Sequence, residues 1–94
     1  MDKSSLISRN REMVHDYLDE HIVMMNIETG QYYRFNEVGT RVWELLENGT
    51  QSIETLADKI MAEFNAGRDQ VISDIMAFAT KSCDQGLIHV KANQ

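Results

Sequence analysis

The sequence predicts an α+β domain: a three-stranded antiparallel sheet followed by three helices, in a winged-helix-like arrangement. Three observations predict it. Residues 13–35 carry the two-residue alternation of strands, interrupted twice by turn residues. From Asn36 onward the apolar spacing changes to the three-and-four pattern of amphipathic helices. A run of strands followed by a run of helices indicates an α+β architecture. The 94 residues suffice for one domain with one modest core. That domain is expected to span residues 1–94, with 1–10 as a flexible N-terminal arm.

Met13 to Asp19 alternates, with Met13, His15 and Tyr17 on one face and Val14, Asp16 and Leu18 on the other, as a half-polar strand does. Asp19-Glu20 is a turn. His21 to Ile27 is more apolar and reads as a better-covered central strand. Glu28-Thr29-Gly30 breaks the pattern, and Gly30 supplies the positive φ that a tight hairpin needs. Gln31 to Phe35, rich in aromatics, is the third strand. Asn36 caps the first helix, whose stripe is Val38, Val42, Leu45 and Leu46 with Trp43 as anchor. Asn48-Gly49 ends that helix. Ser52 caps a second helix buried through Ile53, Leu56, Ala57, Ile60 and Phe64. Asp69 is the expected cap of a third, running to Gln85 and closed by Gly86. Leu87 to Val90 is a short closing strand.

Composition excludes several classes. Nine Lys and Arg stand against fifteen Asp and Glu, a net charge of −6, where nucleic-acid binding draws on clustered basic residues. The single cysteine, Cys83, forms no internal disulfide and no Cys-based zinc cluster. His15, His21 and His89 lack partners at metal-ligand spacing. The five glycines stand too far apart for a phosphate loop. No apolar run approaches the ~18 residues of a membrane span, and the N-terminus lacks the apolar stretch of a signal peptide. The expectation is a cytoplasmic, non-enzymatic chain with no catalytic residues, metal or cofactor.

Two features point to binding. On a wheel of about 100° per residue, Val71, Ile75, Phe78 and Ser82 share one face of the third helix, and Ile72, Met76, Ala79 and Cys83 an adjoining one. The resulting apolar arc of about 160° exceeds the ~100° that one core contact needs. Either the helix is wrapped on two sides by its own domain, or its second face lines an open groove, with flexible Met76 suited to an adaptable surface. The third strand, Gln31-Tyr32-Tyr33-Arg34-Phe35, is an edge without the lysine or proline that usually blunts one. Either the N-terminal arm or a second copy covers it, or it stays open to a guest strand.

The run from Asn26 to Trp43 (Asn-Ile-Glu-Thr-Gly-Gln-Tyr-Tyr-Arg-Phe-Asn-Glu-Val-Gly-Thr-Arg-Val-Trp) resembles the PqqD-like family. The family pattern is a strand, an acidic-Thr-Gly turn, an aromatic strand, then Asn-Glu-x-Gly and an Ile/Val-Trp pair. The capped helix at Ser52, Asp74, Phe78 and Gly86-Leu87-Ile88 also fit, so the likeness covers roughly residues 10 to 90. Ser82 departs from it, because the family usually has leucine there. The resemblance implies a recognition element for ribosomally made, post-translationally modified peptides. Such a domain holds the leader segment of a precursor peptide as an added strand, in a groove also lined by the third helix. It presents the core to a modifying enzyme, such as a radical S-adenosylmethionine maturase, as in pyrroloquinoline quinone biosynthesis, or a lasso-peptide leader peptidase. The expected peptide-binding residues are then Gln31, Tyr32, Tyr33, Arg34, Phe35, Ile72, Met76, Ala79 and Cys83. Two rivals stand beside this reading: a winged-helix DNA-binding regulator, and a structural subunit docked constitutively in a maturase complex.

Overall fold

The computed structural model describes residues 1–92. Six strands and three helices follow one another as β1 (Leu6–Arg9), β2 (Val14–Leu18), β3 (His21–Met25), β4 (Tyr32–Arg34), α1 (Glu37–Leu45), β5 (Gln51–Ser52), α2 (Ile53–Glu63), α3 (Arg68–Asp84) and β6 (Ile88–Lys91), with a 3-10 turn at Leu46–Asn48 after α1. The fold class is α+β, as expected, and the meander β2-β3-β4 and the three helices are in place.

The strands form two three-stranded antiparallel sheets rather than one, ordered β2-β3-β4 and β5-β1-β6. The expected loose arm is therefore corrected in part: Leu6–Arg9 is the centre of the second sheet. It pairs with β6 from Leu6↔Lys91 to Arg9↔Ile88 and with β5 at Leu6↔Ser52 and Ile7↔Gln51. Ile7, fully buried, supplies the driving force.

In the first sheet, Asp19 takes φ 59° at the β2–β3 turn, a conformation that Asp tolerates better than most residues. The β3–β4 turn is built by Asn26. Its side chain accepts from the amides of Glu28 (3.0 Å) and Thr29 (3.3 Å), and its backbone bridges to Gly30 and Gln31. Alternation then sorts the two faces of the sheet. Ile22 and Met24 are buried inward while Val23 and Met25 stay half-buried outward.

Asn36 caps α1 by accepting from the Gly39 amide at 2.8 Å, and Ser52 caps α2 by accepting from Thr55. Thr40 ties α1 to the sheet, its Oγ1 accepting from the Ile22 amide at 3.0 Å. The α3 N-cap is Gly67, not Asp69. Asp69 lies in the first turn instead, where the helix dipole favours an acid. At the other end Leu87 N–H bonds to Ser82 C=O and Gly86 N–H to Cys83 C=O, with Gly86 at φ 76°. This is the glycine-terminated C-cap that turns the chain into β6. The core gathers Trp43, Ile22, Met24, Val42, Ile53, Leu56, Ile60 and Ile75 between the sheets and the helices.

Candidate functional site

β4 is an edge strand, and its backbone bonding follows from the register. Phe35 N–H donates to Ile22 C=O at 2.9 Å, and Asn26 N–H donates to Gln31 C=O at 2.9 Å. Tyr33 pairs with Met24 between them. Bonded and non-bonded pairs alternate in an antiparallel ladder. Gln31, Tyr33 and Phe35 therefore turn their polar groups to β3, leaving the N–H and C=O of Tyr32 and Arg34 facing outward. The opposite edge, β2, is guarded: Asp16 Oδ1 accepts from the outward Tyr17 amide at 2.8 Å.

Beside the open edge runs α3, and between them lies a groove of about 600 Å³. The strand side is Gln31 to Asn36. The helix side is Asp74, Ala77, Phe78, Lys81, Ser82 and Gln85, with Val38 from α1. Phe35 and Phe78 meet edge-to-face, their centroids 4.9 Å apart, and form an apolar floor. Gly39 explains itself here: a Cβ would lie 2.8 Å from Phe78 Cδ1, so only glycine admits the ring this close. The Asn-Glu-x-Gly motif thus combines a helix cap with a close helix–helix approach.

The nine residues singled out from sequence divide. Gln31, Tyr32, Tyr33, Arg34 and Phe35 all line the groove. Ile72, Met76, Ala79 and Cys83 do not. Ala79 is wholly buried, Ile72 and Met76 pack half-buried against the core, and Cys83 is exposed. The groove face begins two positions on from Ile72, about 200° round the helix. Phe78 is half-buried and shared between core and groove. Asn36, Val38, Asp74, Ala77, Lys81, Ser82 and Gln85 also line the groove and were not among the nine. On α3 the signal was the helical spacing 74, 77/78, 81/82, 85, hidden because four of those six residues are polar.

Behind β2, on the side away from the groove, a polar cluster secures the sheet to α1. Trp43 Nε1 donates to His15 Nδ1 at 3.3 Å, and the Arg9 guanidinium lies over the indole, 4.6 Å from its centroid. The Tyr17 hydroxyl donates to Glu44, and that bond, then desolvation, raises the phenol above its ordinary pKa. The described residues contain no group of three or more His, Cys, Asp or Glu side chains placed to hold a metal ion. None of their helices is long and apolar enough to cross a membrane.

An unguarded sheet edge beside a helix-walled groove is the geometry that strand addition of an extended peptide uses. Residues 21–88 match the family described as coenzyme PQQ synthesis protein D, PqqD, and the chain belongs to that family. Among solved structures it is similar to TbiB1 in complex with the TbiA(beta) leader peptide. The two are 29% identical, with a TM-score of 0.79, over 92% of this chain and 99% of that one. A lasso peptide synthetase B1 complexed with its leader peptide shares the fold at 21% identity and a TM-score of 0.73, over 88% and 96% of the two chains. No curated protein sequence matches the chain.

Proposed function

We propose that this chain is a non-catalytic recognition element. It binds the leader segment of a ribosomally made precursor peptide as a strand added to β4, and presents the remainder to a modifying enzyme. The observation that carries this reading is the open edge at Tyr32 and Arg34, facing a groove with an apolar floor. Backbone bonds to the edge give affinity, and side chains alternating into the groove give selectivity. The likeness to TbiB1, solved with a leader peptide, supports it. The partner enzyme is a radical S-adenosylmethionine maturase or a lasso-peptide leader peptidase, and the setting is the cytoplasm. Holding the leader while engaging that enzyme makes the core's encounter with the active site effectively intramolecular, which raises effective concentration without new chemistry. The DNA-binding reading draws no support from α3, where Asp69, Asp74 and Asp84 outnumber Arg68 and Lys81.

The test is reconstitution with the modifying enzyme. The enzyme alone should process the precursor poorly, and adding this protein should restore turnover. The benefit should vanish for a core peptide lacking its leader. Equal stimulation of the leaderless substrate would mean a structural or allosteric subunit instead.

A further inference from the structure

We infer that Ser82 and Lys81 form a specificity pocket in the groove that selects a carboxylate side chain, Asp or Glu, at one fixed position of the guest peptide. The inference rests on the groove being the peptide site. In an antiparallel or parallel addition alike, guest side chains alternate between the outer face, beside Tyr32 and Arg34, and the helix-facing side, beside Gln31, Tyr33 and Phe35. Only the helix-facing set meets α3.

The two ends of the groove differ. Phe35 rests on Phe78, near Asp74. At the other end the β3–β4 turn shares a shallow depression with Gly86, just past α3, through Asn26. β4 therefore runs antiparallel to α3, and Ser82, Lys81 and Gln85 face its Gln31 half.

Ser82 is the unusual member. It is 2% exposed yet lines the groove. Its hydroxyl finds no hydrogen-bond partner among the described residues, and no sealed side-chain polar atom in them is left unpaired. The hydroxyl therefore opens onto the groove with its bonding capacity unused. An apolar guest side chain seated on it would strand that hydroxyl, which is costly. Beside it Lys81 makes no ion pair among the described residues, so a guest cation is repelled there. A carboxylate satisfies both groups at once through a charge-assisted bond. Asp74 fixes the register: it lies seven residues earlier, about 10.5 Å along the helix. There it is held by Gln70 Nε2, which donates to its Oδ1 at 2.8 Å. A carboxylate shifted to that end meets like charge.

The probe is a displayed library of random decapeptides selected on the full chain, on Ser82→Ala, on Ser82→Leu and on Lys81→Glu. Thermal melts establish that each variant is folded; Ser82→Ala conserves the shape of the site and Lys81 is exposed. The wild type should enrich Asp or Glu at a single helix-facing position. Ser82→Leu should replace it with apolar residues, and Lys81→Glu with Lys or Arg. A synthetic selected peptide should lose about tenfold in affinity on Ser82→Ala, the usual scale for a hydrogen bond to a charged group. The same consensus on all four proteins, or enrichment on the wild type without a carboxylate preference, overturns this inference and leaves the peptide groove standing. No enrichment on the wild type overturns the groove reading as well.

Discussion

Gly39→Ala presses a methyl group against the floor of the groove, and its outcome can be worked from distances. The new Cβ would sit 2.8 Å from Phe78 Cδ1, 2.9 Å from Cε1 and 3.3 Å from Asn36 Oδ1. Carbon atoms rest at about 3.5–4.0 Å, so the ring must retreat by roughly 0.7 Å or more. Phe35 blocks one direction, with its centroid 4.9 Å away, and the open direction is into the groove. Overpacking of this kind costs about 1–3 kcal/mol, while alanine returns at most about 1 kcal/mol of helix propensity. The expected net is a loss of about 1 kcal/mol, read as a lower urea midpoint at unchanged slope. Leader-peptide affinity by calorimetry should fall with it, because the displaced ring narrows the site. Adding Phe78→Leu should recover part of the stability. A Gly39→Ala protein more stable than wild type, with unchanged affinity, would refute the tight approach of α1 to α3.

Asn36→Ala should cost about 1 kcal/mol in thermal or urea unfolding, the usual value of a helix N-cap, since it removes the bond to the Gly39 amide. Met76→Asp should lower stability by about 1–3 kcal/mol and leave the affinity of the folded protein for leader peptide unchanged, because Met76 packs against the core and not the groove. Alkaline titration should expose Tyr17. Its bond to Glu44 raises its folded pKa, so the folded chain holds that proton more tightly than the unfolded one. The contribution is complete below the unfolded tyrosine value of about 10 and is lost as pH rises through the folded value. Tyr17→Phe should remove this part of the alkaline destabilisation, seen in melts at stepped pH.

The elements whose signals are local were legible in the sequence. The β2-β3-β4 meander announces itself by alternation and by Asn26 and Gly30, and α1 and α2 by Asn36 and Ser52. β1 was not legible, because it is four residues long with one fully buried residue, Ile7. Its partners lie 44–46 and 79–85 residues away in sequence, so its strand character comes from tertiary pairing. The α3 face was misassigned for a physical reason too. Apolarity marks what is buried, and Ala79 satisfied that by facing the core. The groove is lined by polar residues such as Asp74, Lys81 and Gln85, so its stripe does not read as apolar. The β4 half of the site was legible because it depends on what strand edges lack, which is visible without knowing the packing.

The central claim is that β4 accepts a guest strand, and amide exchange residue by residue tests it most directly. With leader peptide added, the amides of Tyr32 and Arg34, which face outward, should slow strongly as they bond to the guest backbone. The Tyr33 and Phe35 amides, which face β3, should change little. An alternating pattern of that kind is specific to strand addition. Slowing confined to α3 or to the β2 edge, with Tyr32 and Arg34 exchanging as before, would contradict it.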